Sequence, residues 1–190
     1  MIKKITFLFF ALIALASCVE TVVVGTAVVG TMVLADGSVV DLSQDGRIKS
    51  SVVKTLKEEK DDGYKNIEVN VFNAKIMLTG YVNDPSYKSK AVRKARSTKQ
   101  DIEIIDEIMV FNHNYKPNSI NDSWISSQIS IKMKATRGIK SGNYEYNVLD
   151  GVVFIIGAAK NKDEIKKVAD LVSKVKGVRK VVSYITIVSN

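Results

Sequence analysis

Two stretches of this chain, residues 45–111 and 122–188, align with each other without a gap. The offset is 77 positions throughout, and it pairs identical residues as well as apolar ones. Among the identical pairs are Asn66, Glu68, Asn70, Val71 and Gly80 with Asn143, Glu145, Asn147, Val148 and Gly157. A repeat of this length exceeds the periods typical of solenoid arrays. The sequence therefore predicts two copies of one small domain.

Each copy is predicted to begin with an amphipathic helix. In the first copy, Ile48, Val52 and Leu56 recur at every fourth residue, and Asp45 precedes them as a possible N-cap. The 77-residue offset places Ile125, Ile129 and Met133 at the same positions of the second copy.

The rest of each copy reads as a hairpin, a second helix and a third strand. In the first copy we predict strands at 67–72 and 76–82, a helix from Asp84-Pro85 to about Ser97, and a strand at 102–111. In the second copy, Asp150-Gly151 is a type I′ turn signal, and Asn161 with Glu164 has the spacing of a capping box. The predicted order makes both units α+β domains of the form α-β-β-α-β.

The N-terminus carries an export signal. Residues 1–17 combine two lysines with an apolar run that is short for a membrane-spanning helix. The run ends in Leu15-Ala16-Ser17-Cys18, which resembles the lipobox of bacterial lipoproteins. That resemblance implies lipidation of Cys18, and Val19 after it implies sorting to the outer membrane. The alternative is an ordinary secretory signal with a chance cysteine.

Four further segments follow the signal peptide. Residues 18–44 are rich in Val and Gly and are expected to be a lipidated tether or interfacial segment, with a second membrane span as the alternative. Residues 45–111 form domain 1, the polar residues 112–121 form the linker, and residues 122–190 form domain 2.

The basic residues are unevenly shared between the two units. Residues 45–111 have a net charge of +2, and residues 122–190 have a net charge of +6. For an exported protein, anionic lipid headgroups are a better counterpart than nucleic acid. The alternative is a soluble basic surface without a ligand.

The duplicated unit, with Gly80 and Gly157 near the ends of its second strands, resembles the BON domain. A lipobox followed by two such units is similar to the dual BON-domain outer-membrane lipoproteins, the family of division- and outer-membrane stress-associated lipid-binding proteins. Residues 121–125 resemble the start of that family's second domain. The resemblance covers the chain from about residue 45 onward and the lipobox. It implies two helices packed on a mixed three-stranded sheet in each domain, a lipid anchor on the periplasmic face of the outer membrane, binding of anionic phospholipid by domain 2, and support of envelope integrity.

The repeat itself locates a candidate lipid-binding site. Arg47 and Lys54 of the first helix are replaced by Trp124 and Ile131 in the second copy, and these two lie off the core stripe. A Trp suits a membrane interface, and Lys132 and Lys134 nearby are suited to phosphates. The alternative is that Trp124 and Ile131 pack against domain 1.

The second helix of domain 2 supplies the remaining candidates, namely Lys166, Lys167, Leu171 and Lys174. Leu171 stands where the first copy has Lys94. The alternative for the lysines is a solvated helix face.

Residues suited to catalysis are sparse. His113 is the only histidine and falls in the linker, so we expect no catalytic triad, no metal site and no cofactor. Two functions remain open: a module that binds an anionic phospholipid membrane, and an adaptor for envelope assembly or division proteins that recruits a strand to an open sheet edge.

Overall fold

The fold is taken from a computed structural model, which describes residues 31–33, 39–58, 62–99 and 101–188. The elements follow the predicted order in both copies. They are β1 Thr31–Val33, β2 Val39–Asp41, α1 Leu42–Lys57, β3 Ile67–Phe72, β4 Lys75–Val82, α2 Pro85–Ser97, β5 Glu103–Val110, α3 Ser119–Ala135, β6 Tyr144–Leu149, β7 Val152–Ala159, α4 Lys162–Ser173 and β8 Lys180–Ile187.

Each domain contains one mixed three-stranded sheet. The central strand is β4 in domain 1 and β7 in domain 2, and it pairs antiparallel with the preceding strand and parallel with the following one. The registers are related by the same offset, since Gly80 faces Ile67 and Gly157 faces Tyr144. The predicted α+β fold of two tandem α-β-β-α-β units is confirmed.

The predicted start of the second helix is confirmed in both domains. Asp84 caps α2 by accepting from Ser86 N, and Asn161 caps α4 by accepting from Glu164 N. The Glu164 carboxylate accepts from Lys160 N at 3.0 Å, one residue before the cap. The capping residues fix where the parallel crossover helix begins.

Asp45 is not an N-cap, contrary to our prediction. The helix α1 begins earlier, at Leu42, so Asp45 lies in its first turn. Its carboxylate instead accepts from the N–H groups of Asn73 and Ala74 at 2.7 and 2.8 Å. Asp122 makes the same two bonds, at 2.7 and 2.8 Å, to the turn between β6 and β7. In both domains a buried carboxylate therefore ties the first helix to the hairpin.

Each domain has a core between its helices and one face of its sheet. Both cores contain the whole of the predicted apolar helix stripe, because the six stripe residues are all buried: Ile48, Val52, Leu56, Ile125, Ile129 and Met133. These cores continue onto alternate residues of the strands. The stripe that the sequence predicts is thus the face that each helix buries.

The opposite faces of the two sheets pack against each other. The buried side chains of this interface are Phe72, Met77, Leu149, Phe154, Ile156 and Ala158. Polar bonds flank them: Asn147 Nδ2 donates to Thr79 Oγ1 at 2.7 Å, and the Tyr184 hydroxyl donates to the Glu107 carboxylate. The molecule is therefore stacked as helices, sheet, sheet, helices, and the two helical layers face in opposite directions.

The linker is tied to both domains. The Tyr115 ring stacks on Phe111 with 3.8 Å between centroids and makes an edge contact with Tyr81. Its hydroxyl donates to Asp150 Oδ2 at 2.7 Å, in the hairpin turn of domain 2. The linker is thus part of the packing between the domains.

The segment in front of α1 differs from the expected tether at its C-terminal end. Thr31–Val33 pairs antiparallel with Val39–Asp41, and α1 follows at once. Short β-branched runs of this kind favour strand pairing. The predicted signal peptide and the lipidation site at Cys18 lie outside the described residues.

Candidate lipid-binding surface

The helix α3 is apolar on two opposite sides. One side is the buried core stripe, and the other presents Ile120, Trp124 and Ile131, which are 85, 45 and 60% exposed. These three residues are spaced four and seven apart, so they lie on one side of the helix. We call them the outer stripe. Trp124 and Ile131 face solvent and do not belong to the cluster that joins the two domains. The structure therefore does not support the alternative that they pack against domain 1.

The equivalent side of α1 is polar. Ser43, Arg47 and Lys54 occupy the positions of the outer stripe, and Lys54 lies 4.0 Å from Glu58 in an ion pair. The outer stripe is therefore not required for folding of the repeated unit, since one copy folds without it.

Ile120 is not among the residues predicted from the sequence, because the predicted linker extends to residue 121 whereas α3 begins at Ser119. The helix begins at Ser119, where Asn118 acts as the N-cap and accepts from Asn121 N at 3.2 Å. The available signal was a capping residue just after Pro117 and just before an apolar residue. The earlier start adds the most exposed apolar side chain to the stripe.

Lys132 and Lys134 are exposed in the last turn of α3, next to Ile131. Cations at a helix C-terminus also offset the negative end of the helix dipole. These two lysines thus have a local structural role and remain accessible to an anionic partner.

The four candidates on α4 and at its C-cap, Lys174, lie together in one shallow groove. Lys166, Lys167, Leu171 and Lys174 line it with Thr136, but Asp163 and Asp170 line it as well. Leu171 is half-buried and packs against the core of domain 2. The groove therefore has mixed charge, and neither Trp124 nor Ile131 lines it.

The part of the chain that the structure describes holds no cluster of three or more His, Cys, Asp or Glu side chains fit for a metal ion. His113 is exposed in the linker. In the same residues, no helix combines the length and apolar character that a membrane crossing needs.

The geometry defines a class: a duplicated α+β protein whose two domains join through their sheets. A sequence profile of the BON domain matches residues 44–110 and 121–189, most of the chain. The protein belongs to the BON-domain family.

Three relatives are similar to this chain over 70% of its length or more. A protein of Anaplasma centrale, described as "Uncharacterized protein in gshII 5'region", is 36% identical over 136 residues, which cover 70% of this chain and 90% of that protein. The "Outer membrane lipoprotein DolP" of Haemophilus influenzae is 27% identical over 187 residues, covering 95% and 94% of the two chains. The "21 kDa hemolysin" of Actinobacillus pleuropneumoniae is 29% identical over 133 residues, covering 70% and 66%.

Proposed function

We propose that this protein is an outer-membrane lipoprotein, anchored through Cys18 on the periplasmic face, that binds anionic phospholipid through domain 2 and supports envelope integrity. The observation that carries the proposal is the outer stripe of Ile120, Trp124 and Ile131. The relative named as an outer membrane lipoprotein supports the location, because its similarity extends over nearly the whole chain.

The outer stripe suits shallow insertion into a bilayer. Complete burial of a large apolar side chain contributes about 1.5–3 kcal/mol, and the indole N–H of Trp124 stays hydrated at headgroup level. Lys132 and Lys134 lie in the last turn of the same helix and supply the cations for headgroup phosphates in this proposal. Each such cation near an anionic surface contributes about 1 kcal/mol.

The α4 groove is a weaker contributor in this proposal. Its lysines Lys166, Lys167 and Lys174 share the surface with two aspartates, and the Lys167 ammonium donates to the Arg137 carbonyl at 3.4 Å. Attraction to phosphate is therefore partly offset. An acyl anchor on Cys18 holds domain 2 at high local concentration, so a modest affinity is enough to orient it.

The internal repeat supplies the test. A swap variant, Ile120→Ser with Trp124→Arg and Ile131→Lys, gives α3 the residues that α1 already carries at those positions. It raises the net charge by two while it removes the apolar stripe. Mature protein with Cys18→Ser, which lacks the acyl chain, is sedimented with vesicles of phosphatidylglycerol and phosphatidylethanolamine, and with phosphatidylcholine vesicles.

We expect binding of the wild type to the anionic vesicles only, and at least tenfold weaker binding of the swap variant despite its added charge. Ser123→Arg is the control, since it adds a cation at an exposed position of α3 outside the stripe. Equal or tighter binding by the swap variant would refute insertion of the stripe. If the wild type binds neither vesicle, the adaptor for envelope assembly or division proteins becomes the better function.

A further inference from the structure

The positive charge of domain 1 is concentrated on its helices. The helices α1 and α2 hold nine basic residues and one acidic residue, a net charge of +8. The helices α3 and α4 of domain 2 hold five basic and four acidic residues, a net charge of +1. The helices of domain 1 thus carry more net positive charge than those of domain 2, although domain 2 as a whole is the more basic domain. The difference arises because the acidic residues of domain 1 lie mainly in its strands and loops.

The outer side of α2 is the most basic part of this layer. Lys90, Arg93 and Arg96 are exposed, and the helix contains no acidic residue. Among the described residues, none of these three cations forms an ion pair with a carboxylate, whereas Lys49, Lys54 and Lys88 each have one. We call Lys90, Arg93 and Arg96 the basic row.

Among the described residues, no exposed large apolar side chain lies beside the basic row to insert into a bilayer. Pro85, Ser86, Ser89 and Ser97 are the other exposed residues on that side, and Lys90 Nζ lies 5.3 Å from the centroid of the half-buried Tyr87 ring. None of the exposed large apolar side chains of the described residues lies in α1 or α2. A surface of cations and serines attracts a hydrated array of negative charge without penetrating it. Headgroup phosphates at a bilayer surface are such an array.

We propose that the basic row of domain 1 is a second binding site for anionic phospholipid, and that the protein joins two bilayers. The row and the outer stripe lie on the two helical layers that the packed sheets hold apart, so one flat bilayer does not reach both. The bridging rests on the proposed function of the outer stripe, whereas the affinity of the basic row for phosphates does not.

The test uses the full mature chain with Cys18→Ser and vesicles of phosphatidylglycerol and phosphatidylethanolamine. Light scattering reports vesicle clustering, and sedimentation reports binding. Lys90→Gln, Arg93→Gln and Arg96→Gln are combined to neutralise the row. The charge-matched control combines Lys116→Gln, Lys160→Gln and Lys180→Gln, three exposed lysines outside both helical layers.

We expect clustering by the wild type and the control and none by the neutralised variant, which still binds through domain 2. In a Trp124→Glu background the same three changes weaken binding by on the order of 100-fold, about fivefold for each cation. Clustering and binding by the neutralised variant equal to those of the control would overturn the proposal. Loss of clustering on neutralising the row, combined with no effect of Trp124→Glu, would keep the basic row and refute the outer stripe instead.

Discussion

The hairpin turn of domain 1 carries strain that its counterpart avoids. Both central residues of each turn have positive φ, 49° and 57° at Asn73 and Ala74, and 50° and 73° at Asp150 and Gly151. Asparagine and aspartate tolerate this region, but a Cβ at the second position costs about 1–2 kcal/mol. Ala74 is therefore a strained residue at a site where the repeat has glycine.

We expect Ala74→Gly to stabilise the protein. Removal of the Cβ recovers about 1–2 kcal/mol, and the added freedom of the unfolded chain costs about 0.4–1 kcal/mol. The net gain in free energy of unfolding is about 0.5–1 kcal/mol, which raises Tm by about 1–4 °C for a protein of this size. Urea denaturation followed by circular dichroism measures the gain directly.

The reverse substitution, Gly151→Ala, is the matched control. It adds the same strain, and its Cβ would meet the carbonyl oxygen of Gly177 at 2.5 Å. With the cost of overpacking included, we expect a loss of about 2–4 kcal/mol. A neutral or destabilising Ala74→Gly, beside a tolerated Gly151→Ala, would show that positive φ does not govern these turns.

Three further predictions concern the rest of the fold. Asp122→Ala should lower the free energy of unfolding by about 2–3 kcal/mol, because two hairpin N–H groups lose a buried charged acceptor; urea titration measures it, and Asp122→Asn should recover part of the loss. Phe154→Ala should cost about 3–5 kcal/mol and shift both domains together, so fluorescence of Trp124 and circular dichroism should keep a common midpoint; separate midpoints would contradict a shared interface. Burial, followed by the hydrogen bond to Glu107, raises the pKa of Tyr184 to about 12. The pKa of Tyr184 is higher in the folded than in the unfolded state. The contribution of its neutral hydroxyl to the free energy of unfolding is therefore complete below pH about 10, and it is lost as pH rises toward 12. Burial also raises the pKa of Tyr115 and of Tyr144. Absorbance titration at 295 nm should therefore show one late-ionising tyrosine fewer in Tyr184→Phe than in the wild type.

Most of the fold was predictable because its signals are local and occur twice. Asp84-Pro85 predicted correctly that α2 begins at Pro85, and Asp150-Gly151 predicted the second hairpin turn. Each signal in one copy had a counterpart in the other. Capping residues, turn residues and apolar periodicity therefore all predicted the same fold, and such agreement is typical of a sequence that specifies one structure. The cores followed from the same periodicity.

The role of Asp45 was not predictable in the same way. Its partners Asn73 and Ala74 are 28 and 29 positions away, so no local pattern distinguishes this carboxylate from a helix cap. The packing of the sheets is also a long-range property. Both faces of β4 and β7 are apolar, but the sequence does not state which apolar surface meets which.

The distribution of charge over the surface could not be predicted from the net charge of each sequence segment. Summed along the sequence, domain 2 is the more basic unit, but the fold places cations of domain 1 on helices and its carboxylates elsewhere. A bilayer or a protein partner meets a surface and not a segment. Candidate sites such as the α4 lysines therefore have to be judged with Asp163 and Asp170, which the fold puts beside them.

Duplication also explains where the two domains were free to differ. Each sheet uses one face for its own helices and the other for the partner sheet, so substitutions on either face disturb a core. The outer sides of the helices pack neither on their own sheet nor on the other domain, so substitutions there disturb no core. It is there that Arg47 and Lys54 of one copy correspond to Trp124 and Ile131 of the other. A molecule built from two such sheets back to back has two free helical faces that point apart, and in this protein one is cationic and the other carries an apolar stripe.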